Sequence, residues 1–195
     1  MALKLHTVIT STRPHRNGPA IARWFHEHAT AHGNFDTELV DLADFHLPLF
    51  DEPQHPMRLN YAHDHTKKWA ASVNAADAFV FVMPEYNHSP PPSFVNAFDF
   101  LSWEWQYKPA AFVSYGGVSG GLRAVQPARL QIATLKMMPI PEGVAIPSFF
   151  AQLKDGKFEG NELNLQGVAA TLNELHRWSE ALAPLRAEIR KKIAG

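Results

Sequence analysis

The chain has 195 residues, of which 46% are hydrophobic and 19% charged, and this composition fits one globular α/β domain with a substantial core. Its 18 Lys and Arg residues against 19 Asp and Glu residues give a net charge of −1, so no basic field attracts nucleic acid or an anionic membrane. Cysteine is absent, which excludes disulfides, Cys-ligated zinc, iron–sulfur clusters and a thiol nucleophile.

Apolar runs and helical patterns alternate along the chain and predict strands separated by helices. The strands are predicted at residues 5–10, 37–42, 77–83, 110–115 and 144–146. The helices are predicted at residues 19–31, 61–75, 92–103 and 121–137, with a long helix or a broken pair at 165–193. The stretch FAQLKDGKFEGN carries an Asp-Gly turn and predicts a small hairpin. This order predicts right-handed crossovers and one parallel sheet covered on both faces, in a single domain over residues 1–195.

Three loops lie where a ligand is expected. Ligands of open parallel sheets bind beyond the carboxyl ends of the strands, near the switch in strand order. The loops that leave the first, third and fourth strands at this edge are TSTRPHRNGP (10–19), PEYNHSPPP (84–92) and YGGVSGG (115–121). In the second loop, an unbroken apolar strand opens onto a carboxylate, a phenol and an amide, followed by prolines that stiffen the exit. A rigid, polar turn of this kind suits a flat, partly polar ligand.

The first loop has the composition of a phosphate-binding loop. Hydroxyls at Ser11 and Thr12 and guanidiniums at Arg13 and Arg16 precede a Gly-Pro pair that leads into a helix. A helix N-terminus offers free N–H groups and partial positive charge, and arginine adds charge-assisted donors. Neither GxGxxG nor GxxxxGK[ST] is present, so the loop indicates neither a dinucleotide fold of that type nor a nucleotide triphosphatase. On this loop alone, a capped helix start with two solvated arginines is an equal alternative.

Together with their flanks, these loops resemble the NADPH-dependent FMN reductase family of flavodoxin-like proteins. The matching segments are, in order, STRPHRNGPAIARW, DLADFHLPLFDEP, MPEYNHSPPPSFVNAFDFLS and KPAAFVSYGGVSGGLRAVQPARL, which reach residue 130. The resemblance implies an α/β, flavodoxin-like three-layer sandwich whose parallel sheet has the strand order 2-1-3-4-5. It also implies FMN as the cofactor and NADPH or NADH as the reductant.

The resemblance also implies a role for each segment of the site. The PEYN turn would lie along the isoalloxazine ring, with backbone groups near N5 and the pyrimidine edge; its residues are Pro84, Glu85, Tyr86 and Asn87. The loop after the fourth strand would flank the ring with Ser114, Tyr115, Gly116 and Gly117. The first loop would hold the phosphate with Ser11, Thr12, Arg13, Arg16, Asn17, Gly18 and Pro19. Many relatives have a second serine and an asparagine in this loop, so Arg16 and Asn17 before Gly-Pro depart from the family pattern.

The implied function is that of an FMN-dependent NAD(P)H oxidoreductase. Electrons would pass from the nicotinamide through FMN to a small acceptor such as a quinone, an azo compound, free flavin or a metal oxyanion. The chain would position the ring and stabilise negative charge near N1 and O2 of the reduced flavin, with no catalytic side chain and no metal of its own. No apolar stretch nears the roughly 18 residues of a membrane span and no signal-peptide pattern is evident, so we expect a cytoplasmic protein without a nucleic-acid or membrane partner.

A homodimer, or a dimer of dimers, is the predicted assembly. Aromatic side chains cluster in two predicted helices and just beyond them, at Tyr61, Trp69, Trp103 and Trp105, and indicate a buried interface. The resemblance adds that such helices pair across a two-fold axis, with the LPLFDEP loop (47–53) near the partner's flavin. The alternative is that these aromatics pack within the core of one chain.

Two rival functions stay open. GVSGG at 117–121 matches the GxSxG elbow of serine hydrolases, and Ser119, Asp155 and His176 follow in the order of a triad. Against it, Ser119 stands about four residues beyond its strand, whereas an elbow serine belongs at the strand tip, and His176 falls in a helical pattern. The other rival is a flavodoxin-type electron carrier, but such carriers are usually strongly acidic, and a net charge of −1 supplies no docking field.

Several further polar residues are interpreted as structural or solvated. His63 and His65 flank an aspartate, but no third ligand or HExxH motif accompanies them, so surface histidines are favoured over a metal site. Asn96 and Asp99 are interpreted as the polar face of a helix.

Overall fold

Each predicted strand is present in the computed structural model, which describes residues 2–194. The strands of the main sheet are β1 (Leu3–Ile9), β2 (Phe35–Asp41), β3 (Ala78–Pro84), β4 (Pro109–Tyr115) and β5 (Met138–Ile146). Neighbouring strands pair in parallel, and their order is β2-β1-β3-β4-β5. The predicted flavodoxin-like fold is therefore confirmed. Every residue of β3 and β4 is buried, which explains their unbroken apolar sequences.

Helices cover both faces of the sheet. They are α1 (Gly18–His32), α2 (Asp64–Ala75), α3 (Pro92–Asp99), α4 (Leu122–Thr134), α5 (Glu162–Ala181) and α6 (Ala183–Ala194). On one face, α1 and α5 bury Phe25 and Leu172 against the strands. On the other face, α2, α3 and α4 enclose Trp69 and Phe98, so the sheet separates two apolar cores. None of the helices in residues 2–194 has the length and apolar content that crossing a bilayer requires.

The two largest errors in the predicted boundaries lie in the helix after β3 and in the fifth strand. The helix predicted at 92–103 ends at Asp99, and Trp103–Trp105 forms a separate 3₁₀ turn. The fifth strand begins at Met138, well before the predicted residue 144, because two prolines obscure its start in the sequence. Proline is tolerated there because β5 is an edge strand. A register shift aligns Gly143 with Phe112, and a Cβ on Gly143 would lie 2.7 Å from the Phe112 carbonyl oxygen.

The C-terminal region confirms two predictions. Helices α5 and α6 are a broken pair separated at Leu182. The hairpin consists of antiparallel strands β6 (Leu153–Lys154) and β7 (Lys157–Phe158). Its two turn residues have φ values of 48° and 75°, and the glycine of the Asp-Gly pair adopts the second of these without strain.

The aromatics that suggested an interface are used within the chain. Trp69 and Trp105 are fully buried, and Trp105 stacks on Phe98 with ring centroids 4.1 Å apart. The phenol of Tyr61 donates to a buried carboxylate (2.7 Å), and the indole of Trp103 donates to a backbone carbonyl (2.8 Å). For Trp69 and Trp105 the argument for an interface was therefore wrong, because they complete the core of one chain. Tyr61 and Trp103 are only partly buried. The homodimer itself stays a prediction.

The C-terminal helix closes the amino-terminal end of the sheet with buried charges. Asp77 precedes β3 and forms ion pairs with Arg186 (3.2 Å) and Arg190 (3.1 Å), and it accepts a hydrogen bond from the Lys4 backbone (2.9 Å). Lys108 precedes β4 and donates to two carbonyls at the end of α2, at 2.6 and 3.3 Å. Burial, aided by the nearby Arg190, lowers the pKa of Lys108 well below its usual value.

Candidate functional site

The three loops singled out in the sequence converge at the carboxyl ends of β1, β3 and β4. The side chain and the backbone N–H of Thr10, just after β1, both donate to the Val82 carbonyl of β3, at 2.8 and 3.2 Å. The backbone N–H of Glu85, just after β3, donates to the Tyr115 carbonyl of β4 (3.2 Å). These bonds fix the starting point of each loop, because they extend the strand pairing beyond the ends of the strands.

The first loop presents a buried hydroxyl beside a helix N-terminus. Ser11 is fully buried, and among residues 2–194 its Oγ makes no hydrogen bond of good geometry, although the Tyr115 hydroxyl lies beside it. A Cβ on Gly18 would lie 2.6 Å from Ser11 Oγ and 2.9 Å from Tyr115 Oη, so only glycine fits where α1 begins. In the described part of the chain the Asn17 side chain does not cap α1. Pro19 has no N–H, and the Ala20 and Ile21 N–H groups donate to the Asn17 carbonyl at 3.1 and 3.4 Å, so within residues 2–194 the first-turn N–H that remains for an anion is that of Gly18. Ser11 lacks a partner that a phosphate oxygen would supply.

The two arginines of this loop have different environments. The Arg16 guanidinium pairs with the carboxylate of Asp41, the last residue of β2. The other Asp41 oxygen accepts from the backbone N–H of Ala43 (3.0 Å), so this ion pair ties the first loop to the loop after β2. Arg13 is exposed, and its guanidinium contacts only the Pro14 carbonyl at 3.5 Å within residues 2–194. Arg13 is thus the cation that is free to turn toward a ligand.

The PEYN segment forms a tight turn. The backbones of Tyr86 and Ser89 exchange two hydrogen bonds, each 3.0 Å long. Between them, Asn87 has a φ of 51° and His88 a φ of 63°, which is the geometry of a type I′ turn. Asparagine tolerates this left-handed conformation better than most residues, which gives Asn87 a backbone role. The Ser93 hydroxyl in the first turn of α3 donates to the Thr10 carbonyl and holds the exit of this turn against the first loop.

Side chains of β4 stabilise the loop that follows this strand. The Ser114 hydroxyl donates to the Gly120 carbonyl (2.8 Å). The Tyr115 ring packs edge-on against Phe149, and burial raises the pKa of the Tyr115 phenol to about 12. A Cβ on Gly121, whose φ is 84°, would lie 2.7 Å from the Tyr115 nitrogen. The side chains of Ser114 and Tyr115 therefore shape the loop from inside, while exposed Gly117 presents bare backbone to the site.

A cleft of about 470 Å³ adjoins the first loop. Its wall includes Thr12, the loop 46–49 and the first turns of α3. Asn96 holds this wall together, because its Nδ2 donates to the Pro48 carbonyl (2.6 Å) and its Oδ1 accepts from the Phe50 backbone (2.9 Å). The interpretation of Asn96 as a plain polar helix face was therefore wrong. Asp99 does lie on the exposed face of α3, where partial burial raises the pKa of its carboxyl.

The residues of the rival hydrolase site are not assembled. Ser119 Oγ donates to the carboxylate of Glu85 at 2.7 Å. His176 lies within α5, 3.5 Å from Glu180, and its ring packs against Phe35 at the start of β2, the opposite end of the sheet from the three loops. Asp155 lies in the turn of the β6–β7 hairpin. The triad hypothesis was therefore wrong, because the three residues have separate structural surroundings.

The paired histidines are also accounted for by local contacts. The rings of His63 and His65 stack with centroids 5.1 Å apart, and His65 Nε2 lies 3.1 Å from the Asp51 carboxylate. Within residues 2–194, no group of three or more His, Asp or Glu side chains is arranged to hold a metal ion.

Comparisons with known proteins identify the family of the chain. Residues 3–151 match the family model described as NADPH-dependent FMN reductase. The chain is 44% identical over 120 residues to the NAD(P)H-dependent FMN reductase C4B3.06c of Schizosaccharomyces pombe, an alignment that spans 60% of each chain. It is 30% identical over 164 residues to the NAD(P)H-dependent FMN reductase ntnL of Nectria sp., which spans 78% of this chain and 82% of that one.

A solved structure shows the same fold. The flavoenzyme FerB of Paracoccus denitrificans, an NAD(P)H:(acceptor) oxidoreductase, superimposes with a TM-score of 0.70 at 21% identity, covering 92% of this chain and 98% of that one. The family model covers most of the chain, and the Nectria relative is aligned along most of its own length. The chain belongs to the NADPH-dependent FMN reductase family, whose oxidoreductases work with FMN and NAD(P)H.

Proposed function

We propose that the chain binds FMN in the site formed by the three loops and passes electrons from NADPH or NADH to a small acceptor. The observation that carries the proposal is the buried Ser11 hydroxyl beside the uncapped start of α1. A buried polar group without a partner costs roughly 1–3 kcal/mol, and a bound phosphate would remove that cost. The family to which the chain belongs supplies the identity of the ligand.

The residues present fit the two ends of FMN. Ser11, Thr12 and Arg13, with the N–H of Gly18 at the start of α1, offer donors for the phosphate. The turn at 84–87 and the backbone of Gly116 and Gly117 offer fixed polar groups for the isoalloxazine ring. FMN, when bound, supplies the chemistry of electron transfer, and the chain supplies the position of the ring and donors for negative charge at its N1 and O2 edge. Ser114, Tyr115, Arg16, Asn17, Gly18 and Pro19 shape these loops.

The acceptor is proposed only by class. A quinone, an azo compound, free flavin or a metal oxyanion would each take electrons at the ring without an acid or base from the chain. The open backbone at Gly117 leaves room for a diffusing planar substrate. NADPH is an intracellular reductant, so the cytoplasm is the compartment that we propose, and residues 1–195 act as one domain.

We also propose a homodimer, or a dimer of dimers, through a surface formed by the loop at 48–50 and by helices α3 and α4. Leu49 and Leu130 are 85% and 75% exposed, and Phe50 and Val95 are also exposed. Asn96 ties the loop at 48–50 to α3, and a side-chain amide of α4 donates to the Val95 carbonyl (3.3 Å). These hydrogen bonds hold the loop at 48–50, α3 and α4 together, so the exposed apolar side chains lie on neighbouring elements and can form one apolar patch. Leu130→Glu should shift the sedimentation coefficient toward the monomer, and a wild-type monomer at micromolar concentration would contradict the proposal.

The absorbance spectrum of the purified protein tests the function directly. We expect a yellow protein that releases FMN, and not FAD, on denaturation, and whose flavin is bleached by NADPH under nitrogen. Ser119→Ala should retain most of the NADPH oxidation, whereas loss of a triad serine costs several orders of magnitude in hydrolysis. Colourless protein that FMN cannot reconstitute, with esterase activity that depends on Ser119, would overturn the proposal.

A further inference from the structure

The serine that suggested a hydrolase has a partner that the proposed function does not use. Ser119 Oγ donates to Glu85 Oε2 at 2.7 Å, and the same oxygen accepts from the backbone N–H of Arg123 at 3.1 Å. The Arg123 guanidinium lies 3.6 Å from the other Glu85 oxygen. The Glu85 side chain is only 10% exposed, so these contacts are largely shielded from water. A carboxylate from the loop after β3 is thus engaged entirely by residues after β4.

These contacts cap helix α4 from outside. The helix begins at Leu122, and its N-cap residue is Gly121, which has no side chain to accept from the first-turn N–H groups. The Glu85 carboxylate accepts from one of them and places negative charge at the positive end of the helix dipole. In most helices a residue at the helix start does this, whereas here the acceptor comes from 38 residues away in sequence.

A second contact links the same two loops. Arg123 Nη1 lies 3.0 Å from Nε2 of His88, which is one of the two central residues of the type I′ turn. The backbone N–H of Glu85 already donates to the Tyr115 carbonyl. The loop after β3 is therefore joined to the loop after β4 at its base by Glu85 and at its tip by His88.

We propose that Glu85 is a positioning residue, whose carboxylate fixes the spacing between the loop at 84–89 and the loop at 115–121. The contact of Glu85 with Ser119 and Arg123 is observed directly, whereas its effect on flavin binding rests on the proposed function. A planar ring that lies between two loops binds more tightly when the loops are ordered beforehand, because less conformational entropy is lost. In this assignment the Glu85 side chain orders the site and leaves contact with the ring to the backbone.

Hydrogen exchange of the full chain without flavin tests the contact. In Glu85→Ala, amides at 84–89 and 116–124 should exchange about tenfold faster or more, while those of α5 should be unchanged. In Glu85→Gln, the amide oxygen still accepts from Ser119 and Arg123 but carries no charge, so the increase should be smaller. Ser119→Ala removes one bond and should also have a smaller effect. Glu159→Gln is the matched control, because Glu159 forms an exposed ion pair with Lys154 (2.8 Å) in the hairpin.

FMN titration of the same variants tests the consequence. The dissociation constant should rise about ten- to hundredfold in Glu85→Ala, be partly rescued in Glu85→Gln and be unchanged in Glu159→Gln. Adding Ser119→Ala to Glu85→Ala should have little further effect, because the two residues share one interaction. Unchanged exchange of both loops in Glu85→Ala, in a chain that binds FMN, would overturn the positioning role. Looser loops in a chain that binds no FMN would support the contact and contradict the proposed function instead.

Discussion

The two ends of the parallel sheet both bury polar groups, but the central groups of each end have different surroundings. At the amino-terminal end, Asp77 and Lys108 each have at least two partners within the chain, and α6 covers them. At the carboxyl end, the Ser11 hydroxyl is buried without a good partner in residues 2–194, and α1 begins without a side-chain cap. Charges that are paired within the chain, such as those of Asp77, stabilise the fold, whereas the buried Ser11 hydroxyl is available to a ligand.

The largest expected effect concerns the matched charges. Asp77→Ala would leave Arg186 buried without its counter-charge, so the free energy of unfolding should fall by roughly 3–5 kcal/mol in urea denaturation. FMN affinity of the folded variant should be unchanged, because the site is at the other end of the sheet. Asp36→Ala is the control, since Asp36 is an exposed partner of Lys4 (3.9 Å) and should cost less than about 1 kcal/mol. Equal losses in both variants would remove the distinction between the two ends.

The free energy of unfolding should also fall at acid pH, because of the buried His6 in β1. Burial lowers the pKa of His6 to about 4; Glu38 opposes this shift, and Lys108 and Lys4 add to it. As pH falls below the ordinary histidine pKa of about 6.5, the unfolded chain takes up the proton first. The stability associated with neutral His6 is therefore present above pH 6.5 and lost as pH falls toward 4, by roughly 3 kcal/mol over this window.

Urea denaturation at pH 7 and pH 4.5 would measure this loss. His6→Gln should lose less stability between the two pH values than the wild type, because the carboxylates titrate in both proteins and His6 in only one. Equal losses of unfolding free energy in the wild type and in His6→Gln would show that His6 does not cause the loss of stability between these two pH values.

The two arginines of the first loop sharpen the comparison at the ligand end. Arg13→Ala should weaken FMN binding by roughly 1.5–3 kcal/mol, the scale of a hydrogen bond to a charged group, without changing the free energy of unfolding. Arg16→Ala should lower both quantities, because it also breaks the ion pair with Asp41. Fluorescence titration with FMN and urea denaturation separate the two effects. Unchanged FMN affinity in Arg13→Ala would mean that this guanidinium is merely solvated.

The smallest expected effect comes from adding one methyl group at the start of α1. Gly18→Ala would force the new Cβ against Ser11 Oγ, 2.6 Å away, and should weaken FMN binding by roughly 1–3 kcal/mol. Gly167→Ala is the matched control. Gly167 lies inside α5, and its new Cβ would make ordinary contact with Val144 of β5 at 3.4 Å. The control should keep FMN affinity and gain up to about 1 kcal/mol in unfolding free energy from helix propensity. Equal affinities in the two variants would show that the space beside Ser11 does not bind the phosphate.

Local sequence determined the strands, the order of the elements and the three loops of the site. Fully buried β3 and β4 are readable because burial on both faces demands continuous apolar residues. The turn around residues 84–87 could be predicted from the sequence, because the conformation of a short turn depends on neighbouring residues. The edge strand β5 was only partly readable, because its prolines are permitted by its position at the edge, which the local pattern does not contain.

Tertiary structure alone decided which polar and aromatic residues meet. Trp69 and Trp105 have the composition of an interface but fill the core of one chain. Ser119 has the sequence context of a nucleophile but donates to Glu85, 34 residues away. Asn96 looks like a solvated helix residue but holds a loop 46 and 48 residues distant. Sequence periodicity reports which side of an element is buried, whereas the partner of a side chain depends on how distant elements pack together, so only the fold assigns these residues their roles.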